Sequence, residues 1–84
     1  MTIEERLRQY LVTELNWTGR PADLTDELPV IANGMIDSLG LMSLVSFIEE
    51  EFRVEVADEE IVPANFGTIA AMGSLIGRKQ QASP

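Results

Sequence analysis

Asp37-Ser38-Leu39 places a hydroxyl where an irregular stretch ends and an apolar helical period begins. At a helix start the first backbone N–H groups lack partners and the dipole is positive, so an anion such as phosphate is favoured beside Ser38. Asp37 is the expected N-cap, its carboxylate accepting an N–H from the first turn. Activating that serine as a nucleophile requires a base, and the chain contains no histidine, no Gly-x-Ser-x-Gly turn and no strand to carry one. Cysteine is absent as well, which removes thiolate and zinc chemistry. Neither glycine-rich phosphate-loop pattern occurs, and the acidic stretch 49 to 60 has neither the ligand alternation nor the glycine of a calcium loop. No metal site and no catalytic residue are expected, so the chain reads as a protein on which others act.

The elements that must hold Ser38 follow from periodicity. Thr2 and Glu5 form a capping box for a first helix over about 3 to 15, with Ile3, Leu7, Tyr10, Leu11 and Leu15 as its buried stripe. Glu4 and Arg8 sit four apart on its solvent side, where they add only local support. Asn16-Trp17-Thr18-Gly19-Arg20-Pro21 ends that helix, Trp17 capping the core; Asn16-Trp17-Thr18 fits a glycosylation sequon only by chance, since no secretory signal precedes it. A long loop follows to Gly34, with a turn of helix near Asp23 to Glu27, and Leu24, Leu28, Val30 and Ile31 pin it under the helices. The second helix spans Ser38 to Phe52. Leu41, Leu44, Ile48 and Phe52 form its core face with Val45 and Phe47 flanking, while Leu39, Met42, Ser46, Glu49 and Arg53 face the other way. Leu39 and Met42 there read either as a docking patch or as residues covered by the long loop, the second reading weighing more for Leu39.

Val54-Glu55-Val56 is an extended link, and Asp58 to Val62 reads as a short helix stopped by Pro63. Thr68 caps a last helix whose Ile69, Met72, Leu75 and Ile76 keep helical spacing to about Lys79, with Ala70, Ala71 and Gly73 allowing close helix approach. The expected fold is all-α: a small four-helix bundle of three main helices and one short one. Its 84 residues leave room for one domain, residues 1–80, with 81–84 as a flexible tail.

The net charge of −8 speaks against nucleic acid and anionic membrane surfaces as partners and favours basic protein patches. Half of the 14 acids, Glu49, Glu50, Glu51, Glu55, Asp58, Glu59 and Glu60, fall in one twelve-residue segment, which gives the field a direction. No apolar run is long enough to span a membrane and no signal peptide is visible, so a cytoplasmic monomer is the expectation.

Gly34-Met35-Ile36-Asp37-Ser38-Leu39, the helix running through Glu49-Glu50-Glu51-Phe52, the link Val54-Glu55-Val56, Asp58-Glu59-Glu60 and Phe66-Gly67-Thr68-Ile69 together resemble the acyl and peptidyl carrier protein family. The resemblance covers most of the chain. It implies that a separate phosphopantetheinyl transferase, with its own magnesium ion, attaches 4′-phosphopantetheine from coenzyme A to Ser38. An acyl or aminoacyl group is then held as a thioester on the arm. Asp37 helps the transferase recognise the site, Leu39 and Met42 dock partners, and Glu49 and its neighbours steer basic ones. Carriers of bacterial fatty-acid synthesis usually place acids directly after Asp-Ser-Leu and three residues on, where this chain has Gly40 and Ser43. It is more similar to stand-alone carriers of secondary metabolism loaded by an adenylate-forming ligase; an acyltransferase and downstream enzymes with basic docking patches complete the implied partners. A fatty-acid or polyketide carrier is the alternative within the family. Outside it stands an acidic helical interaction module in which Ser38 is never modified.

Overall fold

In the computed structural model, which describes residues 1–14, 23–32, 34 and 36–82, the order is α1 (Ile3–Glu14), α2 (Ser38–Phe52), a 3-10 turn (Asp58–Glu60), α3 (Pro63–Phe66) and α4 (Ile69–Ala82). The all-α bundle expected from periodicity is what forms, with three main helices and a short fourth. Leu15 and Trp17, expected at the edge and top of the core, lie outside the described residues.

Three helix starts follow from local chemistry. Thr2 and Glu5 exchange the expected pair of bonds, the Thr2 N–H donating to the Glu5 carboxylate at 2.9 Å and the Glu5 N–H to the Thr2 hydroxyl at 3.0 Å. The Thr2 N–H, and after it the Thr2 hydroxyl, hold the Glu5 carboxyl below the usual carboxylate range. Asp37 caps α2 and the Thr68 hydroxyl caps α4 by accepting the Ala71 N–H at 3.0 Å.

One apolar core joins the helices. Leu7 and Leu11 enter it from α1, Leu44, Val45 and Ile48 from α2, Phe66 from α3, and Ile69, Met72, Leu75 and Ile76 from α4. The buried line of α2 therefore runs through Val45, and Leu41 and Phe52 at the ends of the expected face are only half-buried. α4 packs against each of the other helices. Where α1 crosses it, a Cβ on Gly73 would come within 2.4 Å of the Glu4 carboxylate, so the Glu4 side chain lies over the bare backbone of Gly73 and would have to turn aside for a larger residue. α1 and α2 run antiparallel, joined by Tyr10 stacked on Phe47 at a centroid distance of 4.2 Å and by an Arg6–Glu51 ion pair. Burial of the Tyr10 ring raises its phenol pKa above the usual value.

The loop before α2 is pinned more firmly than apolar side chains alone would manage. Leu24 and Val30 are fully buried, with Leu28 and Ile31 packed against the core, as expected. Polar ties reinforce them. The Val30 N–H donates to the Gly67 carbonyl at 2.9 Å, and the Ala70 N–H donates to the Asp26 carbonyl at 2.9 Å. Arg8 is the main correction on α1. Instead of facing solvent it is half-buried, its Nε donating to the Leu24 carbonyl at 2.8 Å while its guanidinium pairs with Asp26. A buried carbonyl needs a donor, and the guanidinium fork supplies one while reaching a carboxylate.

The connection to α4 departs from expectation in one respect. The chain turns in 3-10 form only over Asp58–Glu60, and Pro63 begins α3 rather than stopping a helix. Proline lacks the N–H that a first helical residue leaves unpaired, and its fixed φ suits that position. α4 continues through Gln80 and Gln81 to Ala82, beyond the Lys79 boundary that apolar spacing predicts.

Replacing Arg8 with Ala should cost about 1 kcal/mol, because the guanidinium's bonds are charge-assisted but partly solvated, and lower the melting temperature by roughly 4–8 °C. Amide exchange at Val30 and Ile36 should accelerate; unchanged protection there would mean that Arg8 does not anchor the loop.

Candidate functional site

The site is positioned by a relay of backbone bonds. From the α3–α4 junction, the Gly67 carbonyl accepts the Val30 N–H, and the Val30 carbonyl in turn accepts the Ile36 N–H at 3.1 Å. A Cβ at Gly67 would sit 2.6 Å from the Pro63 carbonyl oxygen, so a side chain there would disturb the first link. Gly34 closes the turn between the two strands of the relay with φ +79°, a left-handed conformation that glycine adopts without strain. The Ile36 side chain is 5% exposed, and the next two residues are Asp37 and Ser38. Ser38 is thus fixed to the core through its backbone while its side chain is exposed.

At the helix start Asp37 is extended (φ −93°, ψ −174°), and its carboxylate accepts the Gly40 N–H at 2.7 Å while its carbonyl accepts the Leu41 N–H at 2.8 Å. That carboxylate is committed to capping α2. A phosphoryl group on Ser38 would lie at the positive end of a fifteen-residue helix with open space around the hydroxyl, so the position fits a phosphodiester. It does not fit nucleophilic catalysis: among the described residues no polar or charged side chain is buried, so none has the sheltered setting in which a strong base is tuned.

Leu39 is 81% exposed and Met42 53%, so neither lies under the loop. Together with Asp37 and Ser38 they occupy the first turns of α2. Glu49 is separate: it is half-buried, and its carboxylate accepts the Val56 N–H at 3.0 Å, tying the extended link back to α2. The acidic segment divides in the same way elsewhere. Glu51 pairs with Arg6, and Glu60 accepts the Ala57 N–H at 2.8 Å and pairs with Lys79 at 2.7 Å. Glu50, Glu55, Asp58 and Glu59 are exposed and have no partner among the described residues. What sequence reasoning missed are the supporting roles of Val30, expected only as an apolar pin, of Gly67 and of Arg8. The first two act through backbone atoms, which leave no signature in side-chain type.

A shallow groove between α1 and α2, lined by Tyr10, Phe47, Arg6 and Glu51, runs along the C-terminal half of α2, away from Ser38. Among the described residues, no cluster of acidic side chains is arranged to hold a metal ion, and no helix is long and apolar enough to cross a membrane.

No family model matches the chain. A relative described as the probable acyl carrier protein PigG of Serratia sp. (strain ATCC 39006) is 30% identical over 76 residues, which are 90% of this chain and 86% of the relative.

Two substitutions test the local roles. Asp37→Ala should destabilise the protein by about 1 kcal/mol through the lost cap, seen as a lower denaturation midpoint, whereas Asp37→Asn should retain most of it. Lys79 is the main cause, ahead of the Ala57 N–H, that holds the Glu60 carboxyl below its usual range. A carboxyl depressed in the folded state adds stability above its unfolded pKa and loses it as pH falls through the folded value. Lys79→Met should therefore move the Glu60 titration, followed by carboxyl-carbon NMR, upward and make unfolding less steep in acid. An unmoved titration would remove Lys79 as the cause.

Proposed function

The chain belongs to the acyl carrier protein family, and from that premise we propose that Ser38 is the residue on which it carries its cargo. Members of the family are not enzymes; they serve biosynthetic enzymes by holding acyl groups. The observation that carries the assignment is Ser38 itself, exposed at the first position of α2 with Asp37 bonded to the Gly40 N–H and Ile36 anchored to the core. In this reading the Ser38 Oγ receives the 4′-phosphopantetheine moiety of coenzyme A from a separate transferase. The arm, when attached, supplies the terminal thiol that a chain without cysteine lacks, and the cargo is held there as a thioester.

The chain's own residues do the rest. The α2 N-terminus tolerates the phosphodiester charge, Asp37 keeps the first turn formed and marks the site for the transferase, and Leu39 and Met42 meet partner enzymes. Glu49, assigned to steering by sequence, has a positioning part to play through Val56, and its unpaired neighbours carry the field toward basic partners. Gly40 and Ser43, where fatty-acid carriers have acids, support a stand-alone carrier loaded with an aminoacyl or specialised acyl group by an adenylate-forming ligase in secondary metabolism.

Incubation with coenzyme A and a broad-specificity phosphopantetheinyl transferase should add the mass of one phosphopantetheine to the intact protein, and Ser38→Ala should abolish the gain while remaining folded. A folded wild-type sample that gains no mass would sink the assignment and leave an acidic interaction module in its place.

A further inference from the structure

Resting on that carrier reading, we propose that the cargo is an α-aminoacyl group whose ammonium is received by the Glu49 carboxylate, at the far end of a stripe of α2 that starts at Ser38. The class of cargo is then selected by the carrier as well as by the enzyme that loads it.

Alignment and reach single out this carboxylate. Three turns along α2, Glu49 returns to within about 20° of Ser38 on the helix wheel and stands roughly 16 Å from it along the axis. Met42, exposed, and Val45, buried, flank the stripe between them. The arm has about thirteen bonds from phosphorus to sulfur and, at about 1.2 Å per bond in an extended chain, spans roughly 16 Å. An α-ammonium lies a few bonds beyond the sulfur, which lets the arm follow the curve of the helix surface and still arrive. The other acids of α2 and its cap do not meet both conditions. Asp37 is beside Ser38, too near for the end of the arm, and is committed to the Gly40 N–H. Glu50 is turned about 120° from Ser38, and Glu51 about 140° the other way and paired with Arg6.

The carboxylate is also held ready for a cation. Its Oε2 accepts the Val56 N–H at 3.0 Å, which fixes the side chain without neutralising it, because the donor is an uncharged amide. Oε1 has no partner among the described residues, and the residue is half-buried, so its charge is less screened than that of a carboxylate in open water. Exposed Arg53, one turn past Glu49, has the sign of an ammonium and closes the stripe to it. An ammonium bound here is kept protonated, since a nearby opposite charge favours the charged form. Without a lone pair it cannot attack a thioester, and the cargo waits on the arm until an enzyme draws it away from Glu49.

A broad-specificity transferase and coenzyme A analogues that carry alanyl or propionyl through an amide, in place of the labile thioester, give two loaded forms that differ only by the ammonium. In NMR spectra of wild type, alanyl should shift the Glu49 carboxyl carbon and the Val56 amide relative to propionyl, and added NaCl should shrink the difference. Glu49→Gln keeps an acceptor for the Val56 N–H but removes the charge, so it should lower the pKa of the alanyl ammonium by about 0.5. Glu50→Gln, equal in net charge, should leave that pKa as in wild type. Identical Glu49 and Val56 resonances for the two cargoes, a comparison that needs no variant, would overturn the proposal, as would equal falls in pKa for E49Q and E50Q. Failure of coenzyme A itself to modify folded wild type would instead overturn the carrier reading beneath it.

Discussion

The position of Ser38 depends on the backbone of one residue. Val30 donates its N–H to Gly67 and accepts from Ile36, so a single peptide segment joins the α3–α4 junction to the residue that precedes the α2 cap. Its side chain is fully buried, which means neither bond is exposed to exchange with water. A long connection without such anchors would leave the start of α2 free to fray, because the entropy of a loop rises with the length that is left unpinned. Arg8 reaching Leu24 and Asp26, and Ala70 reaching the Asp26 carbonyl, fix the same loop upstream. The serine sits on a helix, but the loop determines where that helix begins.

With Ser38 held this way, the remaining polar groups divide between building the fold and facing outward. The core holds only apolar side chains among the described residues, so nothing in it could tune a proton donor or acceptor. The chain can hold a reactive group without reacting with it, which is the property a carrier needs. The acids show the same economy. Glu49 secures Val56, Glu60 secures Ala57 and Lys79, and Glu51 helps close α1 onto α2, so part of a segment that reads as an electrostatic surface is structural. The charges of Glu51 and Glu60 are compensated by Arg6 and Lys79 and contribute less to the long-range field than Glu49, which meets an uncharged N–H, and the four acids left unpaired.

What was legible in the sequence is what depends on neighbours three or four residues away. The Thr2–Glu5 box, the Asp37 cap and the Thr68 cap each join residues three apart, and the bonds form as the residue types require. Helix faces were legible for the same reason, apart from the shift that brings Val45 into the core. Arg8 was misread because its partners lie 16 and 18 residues on and meet it only once the loop has folded back. Pro63 was read as a stop because proline breaks helix interiors; whether it ends one turn or opens the next depends on the direction the chain takes after Val62. The exposure of Leu39 was undecided in sequence, since cover by a loop is a tertiary fact. Its 81% exposure settles that Leu39 is not covered.

The division of labour among the helices bears on how such a chain can change its partners. α4 packs against all the others and holds a large share of the buried side chains, so it carries the cost of any change in packing. α2 contributes Leu44, Val45 and Ile48 to that core on one side only. Its outer side, from Leu39 through Met42, Ser43 and Ser46 to Glu50, makes no core contact, and substitutions at exposed positions of this kind usually change stability by no more than about 0.5 kcal/mol. Side chains on that side can therefore be changed residue by residue without disturbing the Val30 relay or the α2 cap. Ser38 lies at the boundary, anchored through the backbone bonds behind it and presented with whatever surface the outer face provides. On the proposed reading of Ser38, the fold fixes where cargo attaches, and a handful of side chains that do not hold the fold together face the enzymes that reach it.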